Sequence, residues 1–322
     1  MPLPIIFTHY GFSDYLRETL KCATLTNPAA ERILIGDALN KDVAEEFGWT
    51  HVDGDALPSE LRTAFLQYFE PIAGPLLTTV KNGRDWLRYV SERWFIVEAF
   101  CQARKIERFW HFDSDTMIVE DIGQFEGFFA EAGITHTMQC NENGMNGYVT
   151  LEAASEFCKF MVSIYRDEDK KEELQGWRER FRTIEKGGGF TEMLAYSWFA
   201  RDKNYHGPHL ESLFDGWWFD DCICQDDGFE TARMNFVGRF IKRINFDGHA
   251  FWGRRDSQPR RFATVNCSWV HETVFKFLLE CVEQRASGKY RARSLANEWF
   301  GFRHFIKAGG RSALLASGVI KA

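Results

Sequence analysis

The feature that most constrains this fold is an alternation of short apolar runs with helical segments through roughly the first hundred residues. Pro4-Ile-Ile-Phe-Thr8, Arg32-Ile-Leu-Ile-Gly36 and Trp49-Thr-His-Val52 read as strands, being short, apolar and bounded by turn residues. Between and after them, Ser13 starts a helix to Thr24, Asn40 caps a shorter one through Phe47, and Glu60 to Tyr68 forms a third. Trp86 to Arg104 has helical periodicity and leads into a further strand, Arg108-Phe-Trp-His-Phe-Asp113. Parallel strands need crossover connections, which helices supply, so this order predicts an α/β fold with a mostly parallel sheet flanked by helices.

Beyond that point the pattern is mixed. Ile134-Thr-His-Thr-Met138 and Gly147-Tyr-Val-Thr-Leu151 read as short strands, and Ala153 to Tyr165 as a helix continued by a charged stretch to about Lys186. A glycine triplet, Gly187 to Gly189, precedes a helical run from Thr191 to Phe199. No repeat or linker interrupts the chain, which predicts one domain over 1–284 and an extension over 285–322. In the extension Arg285, Lys289, Arg291, Arg293, Arg303, Lys307, Arg311 and Lys321 face only Glu298 as an acid. Leu295, Trp299, Phe300, Phe302, Phe305 and Ile306 are interleaved with them. This predicts a basic, aromatic helix packed on the acidic body, with peripheral contact to an anionic membrane as the alternative.

Composition narrows the partners. A net charge of −7 argues against nonspecific nucleic-acid binding, which needs a basic surface. No basic stretch followed by an apolar one marks a signal peptide, and no run approaches the roughly 20 apolar residues of a membrane span. The eight cysteines include no C-x-x-C, and Cys222-x-Cys224 is the only close pair. Free thiols in a cytoplasmic setting fit this better than zinc, with the inner face of the membrane as a peripheral location. Aromatic residues make up 16% of the chain. A Phe-rich core accounts for most of them, although aromatic faces also suit sugars and nucleobases.

The strand at Arg108 ends in Asp113-Ser-Asp115 before apolar sequence resumes. Residues i and i+2 of a strand point to one side, so both carboxylates can reach one hard cation such as Mn²⁺ or Mg²⁺. The competing reading is a surface turn, in which Asp-Ser-Asp is common.

Phe112-Asp-Ser-Asp-Thr-Met-Ile-Val-Glu-Asp-Ile122 resembles the D-x-D strand end of GT-A fold glycosyltransferases, in the style of glycogenin and bacterial lipopolysaccharide galactosyltransferases. The resemblance covers most of residues 4 to 280 as a pattern of segments and implies a Rossmann-like GT-A domain over 1–284. It implies a hexosyltransferase that uses a nucleotide diphosphate sugar, UDP-linked by default, with Mn²⁺ or Mg²⁺. The acceptor would be a hydroxyl of a saccharide or glycolipid. Asp113 and Asp115 would hold the metal, with Asp113 also touching the donor ribose or sugar and Ser114 lying at the donor.

The resemblance further implies a third ligand, His271 in Val265-Asn-Cys-Ser-Trp-Val-His271, and a phosphate contact, Lys276. The family's glycine between these two is absent and the spacing is slightly short. Arg88 and Arg93, in Arg84-Asp-Trp-Leu-Arg-Tyr-Val-Ser-Glu-Arg-Trp-Phe95, match a basic residue that contacts donor or aspartates, Arg93 lying closer to the pattern. Their alternative is a solvated helix face. Asn146-Gly147 resembles an element lining the sugar pocket, where glycine permits close backbone approach, or is a plain turn into a strand. Glu192 matches an acidic position beside the acceptor, as ligand or general base, or is an ordinary first-turn acid. Thr8, Tyr10 and Asp37 fall where such enzymes hold the nucleobase and ribose. Asp215-Gly-Trp-Trp-Phe-Asp-Asp221 reads as a packed loop or an acceptor platform.

The D-x-D and His271 segments favour a retaining outcome. Two other functions compete. A nucleotidyltransferase would carry a Gly-rich, basic loop after the first strand, which Thr8-His-Tyr-Gly-Phe12 is not. A sugar-nucleotide-binding or carbohydrate-binding protein without turnover would have no need of the Asp113, Asp115 and His271 set.

Overall fold

A computed structural model of the chain describes residues 2–78, 83–140, 144–185, 187–233 and 240–295. The apolar runs of the first half lie side by side in a six-stranded sheet. Its order is Thr50–Asp53, Arg32–Gly36, Ile5–His9, Arg108–Asp113, Gly144–Thr150 and His136–Gln139. The first four are parallel, Gly144–Thr150 pairs antiparallel to Arg108–Asp113, and His136–Gln139 pairs antiparallel to Gly144–Thr150. This is the predicted α/β architecture, a mostly parallel sheet flanked by helices. Ile5–His9 and the core of Arg108–Asp113 are buried on both faces, which is why they read as unbroken apolar runs rather than alternating ones.

The strand order reverses beside Ile5–His9. From there the chain steps outward through two strands on one side, then returns to the other side with Arg108–Asp113. In open α/β sheets such a reversal is where ligands bind, beyond the carboxyl ends of the strands. Thr8 is the register partner of Asp113, so Asp113 ends its strand at this switch point.

The chain divides into two compact units. The first takes in residues up to Ser13, Ala29–Ser114 and Ile122–Leu213, and contains the sheet above. The second takes in Asp14–Pro28, Asp115–Asp121 and the described residues from Phe214 on. The sequence passes from one unit to the other between Ser114 and Asp115.

In the first unit, Leu151–Arg166 shows why a helix forms where it does. Thr150 Oγ1 accepts from Ala153 N at 3.2 Å as N-cap, and the apolar stripe Ala154, Phe157, Cys158, Met161, Ile164 and Tyr165 faces the core. An extended Asp167 ends it, and the charged stretch forms a separate helix, Glu168–Thr183. Asn40 stands at the N-cap of Lys41–Glu46 but makes no capping bond, because its amide donates to His9 O at 3.0 Å. The first helix runs Leu16–Thr26 rather than from Ser13, and it belongs to the second unit.

The second unit's sheet has order Arg293–Ser294, Asn245–Phe246, Phe251–Arg255, Gln258–Asn266 and Thr116–Ile118, with Trp217–Phe219 also pairing on Gln258–Asn266. Trp218, Phe229, Phe251, Phe262 and Leu278 are among its buried core. Trp218 is fully buried in this core, whereas Trp217 is half-buried and Asp215 exposed.

Helix Glu272–Ala286 ends just past Arg285, and Arg293–Ser294 pairs as a strand. Arg285 binds Glu120 at 2.8 Å and Arg293 binds Glu280 at 2.9 Å. The predicted extension beyond Leu295, with Trp299, Phe300, Arg303 and Lys307, lies outside the described residues. No described helix is long and apolar enough to cross a membrane. None of the eight cysteines is in a disulfide.

Candidate active site

Helix Gly83–Arg104 carries Arg93 to the end of strand Arg108–Asp113. There its guanidinium donates from one nitrogen to Asp113 Oδ1 at 2.5 Å and from the other to Glu192 Oε1 at 2.7 Å. Asp113, 20 positions from Arg93, and Glu192, 99 positions from it, thus form one partly buried bridge with it at the switch point. A planar fork suits this role, since its separate N–H vectors can serve two carboxylates at once.

The three groups do not share their environment equally. Burial works against the Arg93 charge, but Asp113 and Glu192 outweigh it and hold the guanidinium above its ordinary range. Burial also opposes the Asp113 carboxylate, yet Arg93 beside it pulls its pKa below the ordinary carboxylate value. For Glu192 burial wins over Arg93, with repulsion from Asp113 adding to it, and its pKa is raised. Two carboxyls on one guanidinium are therefore pushed apart in acidity, an arrangement that separates roles in acid–base sites. The Asp113 side chain is 32% exposed, while that of Glu192 is 7% exposed and its Oε2 has no hydrogen-bond partner.

Around this bridge, Thr8 is buried beside Asp113 in register. Ser114 Oγ lies 2.8 Å from His9 Nδ1, and burial lowers the His9 pKa to about 4. His111 sits in the same strand as Asp113, and burial, with Arg93 nearby, lowers its pKa to about 3, the Asn146 side chain acting in the opposite direction. Asn146 Nδ2 donates to Gln139 Oε1 at 3.1 Å.

Gly147 is needed for packing. Its φ is +86°, and a Cβ there would meet Leu210 Cδ2 at 2.2 Å and Thr137 Oγ1 at 2.7 Å. Gly147→Ala is expected to cost about 1–3 kcal/mol through strain and overpacking, read as a lower urea midpoint. An unchanged midpoint would show that neither the φ nor the contact with Leu210 matters.

The remaining candidates are spread out. Asp37 holds its own loop, accepting from Gly11 N at 2.6 Å and Leu39 N at 2.9 Å. The Tyr10 ring stacks at an angle on Tyr89, centroids 4.8 Å apart, and its hydroxyl fills the space beside Gly54. Arg88 is not joined to the bridge, its Nε donating to Glu92 Oε2 at 3.0 Å on its own helix.

In the second unit Asp115 Oδ2 accepts from Ser268 Oγ at 2.8 Å. His271 is the exposed N-cap of Glu272–Ala286, its Nδ1 accepting from Thr273 N at 3.3 Å. Lys276 pairs with Glu272 at 2.9 Å one turn away.

His9, His111 and Ser268 do not stand out in the sequence. A histidine flanked by aromatics in a buried strand gives no signal of its own, and Ser268 was visible only as a member of the Val265–His271 segment.

Among the described residues no group of three His, Cys, Asp or Glu side chains is arranged to hold a metal. Mg²⁺-type cations need only one or two carboxylates, the rest of the shell coming from water and phosphate. Each aspartate taken by itself has the oxygen chemistry such a cation accepts: Asp113 meets Arg93 through Oδ1 and Asp115 meets Ser268 through Oδ2. His271 belongs to no group of three such side chains among the described residues.

Neither family models nor curated proteins gave a match. Solved structures gave partial overlaps. One is a cytidylyltransferase from Leptospira borgpetersenii serovar Hardjo-bovis, with TM-score 0.31 and 9% identity, covering 63% of this chain and 96% of that one. A second is the apo-form glycosyltransferase GlyE of Streptococcus pneumoniae, with TM-score 0.30 and 11% identity, covering 66% of this chain and 46% of that one. A third is the PaToxG glycosyltransferase, with TM-score 0.29 and 13% identity, covering 63% of this chain and 73% of that one.

Proposed function

We propose that this chain is a metal-dependent glycosyltransferase that moves a hexose from a nucleotide diphosphate sugar, UDP-linked in the first instance, to a hydroxyl of a saccharide or glycolipid. The observation that supports it most is the partly buried Arg93 fork on Asp113 and Glu192 at the switch point of a mostly parallel sheet. Arg93 fixes the orientation of Asp113 and keeps it ionised, leaving its second oxygen for a cation. Asp113 and Asp115, one residue apart on the chain, would hold Mn²⁺ or Mg²⁺. Such an ion stabilises the negative charge that develops on the leaving diphosphate.

Ser114, Thr8 and Asp37 belong to the donor side in this reading, and Glu192 to the acceptor side. A retaining outcome is part of the proposal through the style of the D-x-D and His271 segments alone. His271 and Lys276 enter through their place in the sequence. Recruiting Lys276 to a phosphate would require it to leave Glu272, a surface pair worth under about 1 kcal/mol.

The test is thermal stabilisation by UDP- and GDP-sugars with Mn²⁺, followed by donor hydrolysis. A ligand at 100 times its Kd that binds only the folded state adds about 2.7 kcal/mol, which raises the melting temperature measurably. Stabilisation by at least one nucleotide sugar, and Mn²⁺-stimulated hydrolysis lost in Asp115→Ala, are the expected results. No stabilisation by any nucleotide sugar or nucleoside diphosphate, or an Asp115→Ala protein as fast as wild type, would overturn the proposal.

A further inference from the structure

The strand Gln258–Asn266 ends in Asn266-Cys-Ser-Trp269, and this short segment is built around Asp115. Cys267 N donates to Asp115 O at 3.0 Å, and Ser268 Oγ donates to Asp115 Oδ2 at 2.8 Å. The segment is itself held in place. Asn266 Oδ1 accepts from Ser268 N at 2.9 Å, which fixes the serine backbone. Asn266 N in turn donates to Asp220 Oδ2 at 3.2 Å.

Asp220 is anchored by Lys242. The Lys242 ammonium, fully buried, donates to Asp220 Oδ1 at 2.5 Å, to Cys222 O at 3.0 Å and to Asp227. A buried ammonium with two carboxylates and a carbonyl leaves little freedom to the loop segments that carry those acceptors. The hydrogen bonds thus run without a break from a buried ion cluster to one oxygen of Asp115.

We infer that Ser268 is a positioning residue that sets the orientation of the Asp115 carboxylate, so that its other oxygen is presented to a divalent cation. This rests on the proposed role of Asp115. It assigns a task to a hydroxyl whose presence the packing of the segment does not require, since the backbone bonds of Cys267 and Ser268 persist without it. A partner that orients a metal ligand usually contributes 10–100-fold to metal affinity, so loss of the hydroxyl should act on cation binding first.

The experiment measures Mn²⁺ binding in the presence of UDP from the loss of the free-ion electron paramagnetic resonance signal, on wild type, Ser268→Ala, Ser268→Thr and Asp115→Ala. Melting temperatures without ligand are recorded in parallel. The expected result is nucleotide-dependent Mn²⁺ binding in wild type that is abolished in Asp115→Ala. Ser268→Ala should bind about tenfold more weakly with an unchanged melting temperature, and Ser268→Thr should recover most of the affinity.

If Asp115→Ala abolishes binding while Ser268→Ala binds as wild type, the inference is overturned and the functional proposal stands. A Ser268→Ala protein that loses melting temperature but not Mn²⁺ affinity has lost only structural support, which also overturns it. If wild type and Asp115→Ala behave alike, with or without binding, the functional proposal fails and takes the inference with it.

Discussion

Replacing Arg93 by methionine is expected to destabilise the protein by about 3–5 kcal/mol and to abolish stabilisation by nucleotide sugars. The stability loss follows from what stays behind. Asp113 and Glu192 are acids on opposite sides of one guanidinium, and neither has another ion-pair partner among the described residues. Removing one member of a buried pair costs more than the pair contributes, because the remaining charge must be protonated or rehydrated. Glu192, whose pKa is already raised by burial, is the group that should take up the proton.

Two further variants separate geometry from charge. Arg93→Lys keeps the charge but cannot fork to two carboxylates, so it should recover less than half of the lost stability. Arg93→Met combined with Glu192→Gln removes the stranded glutamate and should recover part of the loss, without restoring ligand-induced stabilisation. Urea midpoints and nucleotide-sugar melting shifts read both effects. If Arg93→Met unfolds at the wild-type urea concentration, the bridge is a surface feature without energetic weight, and its use as the anchor of a donor site falls.

How this bridge relates to the sequence is instructive. The strands at Ile5, Arg32 and Arg108 were legible because central strands of a parallel sheet are buried on both faces and so read as apolar blocks. Arg93, Asp113 and Glu192 each stand out in the sequence separately, by likeness to a motif. That one guanidinium joins them was not legible, since bridging is a property of tertiary placement across 99 residues. His111 and Ser268 stayed hidden for a related reason: nothing in local composition distinguishes a buried histidine or an orienting serine from their ordinary counterparts. Gly147 is legible as a position of close backbone approach, but what approaches it is not: Leu210 and Thr137 fill the space a Cβ would need.

The largest pH effect should come from histidines buried in neutral form. Burial lowers His136 to about 4, His9 to about 4 and His111 to about 3. In the unfolded chain each titrates near 6.5, so below that pH the unfolded state holds protons the folded state does not. Stability due to these groups is therefore fully present above about pH 6.5 and is lost as pH falls toward the folded values. At roughly 1.4 kcal/mol per pH unit each, the three together remove about 4 kcal/mol per unit in that window, against a total stability of about 5–15 kcal/mol. Carboxyls with raised pKa, namely Glu18, Glu120, Glu192 and Asp220, act in the opposite direction, because the folded state protonates them first. A single variant isolates one histidine from this sum. His136 lies 2.8 Å from Tyr196 Oη through Nε2 and 3.2 Å from Thr135 Oγ1 through Nδ1, with the Tyr205 ring 5.3 Å away and His206 nearby. His136→Gln keeps an amide able to bond Tyr196 and has no proton to gain. The difference between its urea-stability profile and that of wild type should change by about 1.4 kcal/mol per pH unit between pH 6 and 4.5, in favour of the variant at the acid end. Parallel profiles would mean that His136 protonates as easily folded as unfolded, and its burial would then carry no energetic consequence.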